Sequence, residues 1–147
     1  MAVPKDLREF IASLNSHGVE YVVVGAHAVA FHGRPRYTGD LDLLLRPTQE
    51  NAARIQHTLV AFSFASLGLQ GGDFLEPGRV IQLGVAPNRI DLLTSLTGVT
   101  FEEAWERRIS GDLDGIPVAF LSRETLIKNK RATGRAQDAA DADALDG

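Results

Sequence analysis

The chain has no cysteine among its 147 residues, so neither a disulfide framework nor a thiolate metal site is open to it. No apolar run comes near the roughly 20 residues that a bilayer-spanning helix needs. The opening residues, Met-Ala-Val-Pro-Lys-Asp, lack the apolar core of a signal peptide. The expectation is a cytoplasmic protein with no membrane attachment. Positive charge is also scarce: a net charge of −4 argues against coating nucleic acid through a global basic field. Basic residues gather only locally, at Lys128, Lys130, Arg131 and Arg135 and at Arg34 and Arg36. No repeat, linker or low-complexity tract divides the chain, and its length suits one domain, 1–147, with a proper core.

What is present centres on residues 21–45. Tyr21 to Val24 reads as a buried strand, Gly25-Ala26 as a corner, His27 to His32 as a short helix, and Leu41 to Leu45 as a second strand opened by acid. Alternation along that strand puts Asp40 and Asp42 on one face, with Cα atoms roughly 6.5–7 Å apart. Two adjacent carboxylates repel unless a cation or several donors lie between them. Mg²⁺, or Mn²⁺ in its place, is the natural cation, because it is held by one or two carboxylates and takes further ligands from substrate phosphates. The bland reading of a lone Asp-x-Asp is the wet edge of a half-buried strand. Gly111-Asp112-Leu113-Asp114 repeats the tetrapeptide Gly39-Asp40-Leu41-Asp42, but Gly115 and Pro117 follow it, so Asp114-Gly115 reads as a hairpin turn.

Around this centre, Leu7, Phe10, Ile11 and Leu14 predict an amphipathic helix stopped by Gly18. Pro47-Thr48 opens a helix to about Phe62, with Ala52, Ile55, Leu59 and Phe62 on its apolar face. A glycine-rich stretch should be loop, with a short strand at Val80 to Leu83. Arg89 to Leu93 reads as a strand with one acid, Asp91, which needs a partner. Either it pairs with Arg89 or Arg36, or it lies beside Asp40 as a third carboxylate of one metal platform. Phe101 to Ile109 is expected as a helix with Trp105 in the core, and Ile116 to Leu121 as a strand. Ser122 is expected as an N-cap, and Leu121 to Leu145 as two helices or one broken at Gly134. Asp138 and Asp141, three apart, share a face.

In this order the motifs resemble the nucleotidyltransferase superfamily, the DNA polymerase β-like fold. Its pattern is Gly followed by Gly or Ser, about a dozen residues, Asp-x-Asp, then a third acid on another strand. Gly25-Ala26, thirteen residues, Asp40-Leu41-Asp42 and Asp91 follow it. The chain also resembles small bacterial proteins related to AbiEii-type toxins, which carry a pattern like Asn129-Lys130-Arg131-Ala132-Thr133-Gly134-Arg135 followed by Asp138 and Asp141. The resemblance implies an α/β (α+β) fold, a small mixed sheet flanked by helices with further helices at the C-terminus. It implies that Asp40 and Asp42 hold one or two Mg²⁺ ions and that Asp91 completes the site and acts as general base. Gly25 and the Ala26 backbone would meet a nucleoside triphosphate, Lys130 would face the site, and a basic residue such as Arg135 would offset the leaving pyrophosphate. Ala26 departs from the pattern: it brings no hydroxyl, and its Cβ is strained if that position needs a positive φ.

The implied activity is Mg²⁺-dependent transfer of a nucleoside monophosphate from a triphosphate onto a hydroxyl of a protein, an RNA end or a small molecule. A toxin-like role would add a cognate antitoxin as partner. The alternatives are a nucleotide-binding or protein-interaction module without catalysis, and a metal-dependent phosphohydrolase. Arg36 and Thr38 flank the acids and either touch substrate or belong to a solvated loop. Lys130 and Arg135 either serve the site or form an outer helix face balanced by Asp138 and Asp141. His27 and His32 lack the spacing of a structural zinc site, which leaves packing or capping.

Overall fold

A computed structural model of the protein describes residues 5–33, 40–62, 69–84 and 89–146. Among these described residues six α-helices and six strands follow one another as α1 (Lys5–Ser16), β1 (Tyr21–Val24), α2 (Gly25–Phe31), β2 (Leu41–Leu45), α3 (Gln49–Ala61), β3 (Val80–Leu83), β4 (Ile90–Leu93), α4 (Phe101–Glu106), β5 (Ile109–Leu113), β6 (Ile116–Phe120), α5 (Arg123–Ala132) and α6 (Ala136–Asp146). The strands form one sheet in the order β3-β4-β2-β1-β6-β5. Pairs β1/β2, β3/β4 and β5/β6 are antiparallel, whereas β2/β4 and β1/β6 are parallel. The fold is therefore mixed α/β, as the resemblance implies.

The central position of β1 explains its sequence. All four residues of Tyr21–Val24 are buried, as expected of a strand covered on both faces. In α1, Leu7, Phe10, Ile11 and Leu14 are all buried, and Gly18 follows with φ +72° in the left-handed region that ends a helix. α1 packs against α3, where Phe10 meets Phe62 edge to face at 5.4 Å. The caps are side-chain oxygens: Thr48, Thr100 and Ser122 accept from the backbone N–H of Asn51, Glu103 and Thr125.

Asn51 joins this frame to the strands. Its buried side chain accepts from Glu20 N (2.7 Å) and donates to Glu20 O (2.9 Å) and Arg46 O (3.0 Å), clasping the start of β1 to the end of β2. Asn51→Leu leaves the part-buried Glu20 N unpaired, while Glu20 O and Arg46 O still accept from Arg46 N and Thr48 N, and a loss of about 1–2 kcal/mol in urea unfolding is expected, with the m-value unchanged.

Four details differ from the sequence reading. There is no separate Gly-Ala corner, since α2 starts at Gly25 directly from β1. α4 stops at Glu106, and Ile109 opens β5, a strand hidden by the weak β-formers Gly111 and Asp112. That glycine has a packing reason: a Cβ on Gly111 would lie 2.7 Å from the Phe31 ring, which stacks on Phe120 at 4.0 Å. The β5–β6 hairpin turns at Asp114 (φ +51°) and Gly115 (φ +86°), the pair of left-handed residues a tight hairpin requires. Trp105 is only partly buried, with the guanidinium of Arg108 over its ring at 3.8 Å. In the glycine-rich stretch, a 3₁₀ turn at Gly71–Phe74 buries Phe74 completely.

Candidate functional site

The parallel pairing of β2 with β4 sets Asp42 beside Asp91, and the antiparallel pairing with β1 sets Asp42 beside Val24. One position earlier, Leu41 pairs with Ile90 and its N–H donates to Arg89 O at 3.0 Å, which places Asp40 opposite Arg89. Alternation then puts Asp40, Asp42, Arg89 and Asp91 on one face at one end of the two strands. Asp91 thus neighbours the Asp-x-Asp strand and at the same time pairs with Arg89.

 Arg89 Nε donates to Asp91 Oδ1 at 2.9 Å, and its Nη2 donates to Asp91 Oδ2 at 3.3 Å and to Asp40 Oδ2 at 2.8 Å.

Asp42 receives less relief. Burial, followed by the charge and hydrogen bond of Asp91 and the charge of Asp40, pushes its carboxyl up to about 7, against the opposing pull of Arg89. Gly25 lies directly against it: a Cβ there would be 2.2 Å from Asp42 Oδ2, and the residue has φ +69°. The motif glycine is therefore needed twice, for backbone conformation and for room. Gly25→Ala is expected to cost about 2 kcal/mol of stability and to displace the Asp42 carboxylate, read as a lowered melting temperature together with weaker Mn²⁺ binding. Ala26 carries no such strain, since Asp114 is the only non-glycine residue with positive φ among the described residues.

A cavity of about 410 Å³ opens at this end of the sheet, within the range of small-ligand sites. Gly25, Ala26 and Asp42 form one side of it, and Lys130, Arg135 and Asp138 from the C-terminal helices another. Asn129 ties the two sides together by donating from Nδ2 to Thr97 O at 2.9 Å, in the loop after β4 that also lines the cavity. Asp40 and Asp91 adjoin Asp42 but do not line the cavity. Arg36 and Thr38 lie outside the described residues.

Lys130 is buried rather than on an outer helix face. Its ammonium lies 3.0 Å from Asp138 and 3.8 Å from Asp141, while Arg135, largely exposed, pairs with Asp138 at 2.9 Å. Burial acts to raise the Asp138 carboxyl, but hydrogen bonds from Thr133 and Lys130 and the charges of Lys130 and Arg135 outweigh it and hold the group low. The histidines stand apart from the acids: His27 is buried and kept neutral by that burial, and His32 donates from Nε2 to Leu121 O at 2.7 Å.

No protein family and no curated protein matches the chain. The site is therefore read from its own chemistry. Its donors are hard carboxylate oxygens of the kind Mg²⁺ and Mn²⁺ take, and the like charge crowded at Asp42 and Asp91 is what a divalent cation would relieve. As the side chains stand, no three acidic or histidine groups among the described residues are arranged to hold an ion, and Arg89 stands between two of the three carboxylates. The sequence names Arg89 as a partner of Asp91 but not of Asp40, and the second pair depends on β4 lying beside β2.

Proposed function

We propose that the protein is a Mg²⁺-dependent nucleotidyltransferase that moves a nucleoside monophosphate from a triphosphate onto an acceptor hydroxyl. The observation that carries this reading is Asp42, set in the wall of a cavity of about 410 Å³ and in register with Asp91. Asp42 and Asp91, with Asp40, would hold the metal, which supplies charge stabilisation for the attacking and leaving oxygens. Gly25 and Ala26 line the cavity with nothing larger than a methyl group, which suits a close approach of phosphate oxygens to the backbone. Lys130 and Arg135 bring positive charge to the opposite wall, where the leaving pyrophosphate would gather negative charge. In the transfer, the acceptor oxygen bonds to the α-phosphorus, the bond from that phosphorus to the bridging oxygen breaks, and pyrophosphate departs. Asp91 takes the proton of the hydroxyl.

The test is transfer of label from each of the four α-labelled nucleoside triphosphates, with Mg²⁺ or Mn²⁺, onto total RNA and onto a cell lysate. Label in a band seen with the wild type and not with Asp42→Asn supports the proposal and gives the acceptor class. A non-catalytic nucleotide-binding module is the second reading, favoured by the ion pairs through which Arg89 balances Asp40 and Asp91 without a metal. Nucleotide affinity with no label moved onto any acceptor would select it.

A further inference from the structure

We propose that Arg89 is a built-in counter-cation that keeps divalent metal out of the carboxylate cluster until a triphosphate draws the guanidinium away, so that metal and nucleotide bind cooperatively. The inference rests on the nucleotidyl-transfer reading of the same site. Both oxygens of Asp91 and one of Asp40 already accept from the guanidinium, at 2.9, 3.3 and 2.8 Å. These are oxygens that a Mg²⁺ ion would need at about 2.0–2.1 Å. A guanidinium does not lose its proton in this environment, so it can leave only by moving.

The side chain is placed to move. Arg89 and Asp40 keep 31% and 37% of their side-chain surface exposed, so their pair exchanges readily for water and another anion, whereas Asp91 keeps only 12% and its charge is stranded unless a metal takes the place of the guanidinium. The main chain stays fixed, because Arg89 O accepts from Leu41 N at 3.0 Å and β4 begins at the next residue. The motion is therefore a side-chain swing with the strand intact. A guanidinium released at this end of the sheet is a planar fork for phosphate oxygens. The charge balance gives the swing its direction: a triphosphate offers Arg89 a new anion while its metal takes over the vacated carboxylates. Since the coupling is reciprocal, each ligand tightens the other.

The experiment is a Mn²⁺ titration of the full chain, followed by the electron paramagnetic resonance of free Mn²⁺, with and without the non-transferable α,β-methylene analogue of ATP. Arg89→Met is expected to bind Mn²⁺ alone about tenfold more tightly than the wild type, because the competing charge-assisted bonds are gone. The analogue is expected to tighten Mn²⁺ on the wild type by a similar factor and on the variant by much less. A merely structural arginine would give the opposite result, weaker metal binding on removal. Arg89→Lys keeps the charge but cannot fork onto both carboxylates, and it should shift affinity in the same direction by less, which covers the case of a Met variant that does not fold. Equal or weaker Mn²⁺ binding by both variants, with label transfer by the wild type intact, overturns this inference alone. Absence of Mn²⁺ binding by the folded wild type and variants, with no label transferred, overturns the transfer reading as well.

Discussion

Asp42→Asn is expected to lower nucleotidyl transfer by about a thousandfold while making the metal-free protein more stable at pH 8. The two effects have one origin. The Asp42 carboxyl is pushed up to about 7 by burial and by its acidic neighbours, so the fold holds that proton more tightly than the unfolded chain does. The stability this brings is complete below about pH 4 and drains away as pH rises towards 7. Above 7 the metal-free wild type must keep the group ionised beside Asp91. Asparagine has the shape of the protonated acid and no charge to bear. Asp42 is partly exposed, so solvent screening absorbs part of the difference and on the order of 1–2 kcal/mol remains in favour of the variant at pH 8. Near pH 4.5 the two proteins should unfold together. In the presence of the α,β-methylene analogue of ATP, added Mg²⁺ should raise the wild-type melting temperature at pH 8 far more than at pH 5.5, and leave Asp42→Asn nearly unmoved. Equal shifts in the two proteins would mean that Asp42 is not a metal ligand.

Most of the elements that carry this chemistry could be read from residue patterns, because the patterns and the packing agree. The buried run of β1, the heptad-like face of α1 and the acid at the head of β2 each have one sensible placement, and the structure adopts it. Strand order is different in kind. Whether Asp91 joined the Asp-x-Asp strand depended on β4 pairing with β2 across 49 residues of chain, and no local signal states such a pairing. An arginine partner and a place beside the Asp-x-Asp strand did not exclude one another, because Arg89 and Asp91 point the same way and meet Asp40 and Asp42 respectively. β5 was missed for a related reason: its glycine and aspartate read as turn, and it is the antiparallel pairing with β6, with the stacked Phe31 and Phe120 rings over Gly111, that makes a strand of them. Ala26 looked strained only on the assumption that the second motif position turns left-handed, whereas Gly25 takes that conformation.

The same distinction governs the C-terminal helices, where Asp138 and Asp141 plainly share a face but nothing local says that the face points inward. Both are buried around Lys130, whose side chain is itself only 11% exposed. Removing one partner of such a set leaves uncompensated charge in the interior, so Lys130→Met is expected to cost about 3–5 kcal/mol at neutral pH. The pH dependence separates this from a simple packing defect. In the wild type the Asp138 carboxyl is held below its ordinary value, so the stability it contributes is present above about pH 4 and is lost as acid protonates it. In Lys130→Met the same burial is opposed only by Thr133 and the largely exposed Arg135, so the acid takes up a proton more readily than in the wild type. The variant should therefore gain stability as pH falls from 7 towards 5, over a range in which the wild type stays level. Adding Asp138→Asn and Asp141→Asn to the Met variant should recover most of the loss at pH 7 without acid. A variant whose deficit is constant across that range would show a lost methylene contact rather than a lost charge. Recovery by acid would show that the cation opposite Asp42 is held in the cavity wall by these two acids, and that the fold needs the charge whatever ligand the cavity takes.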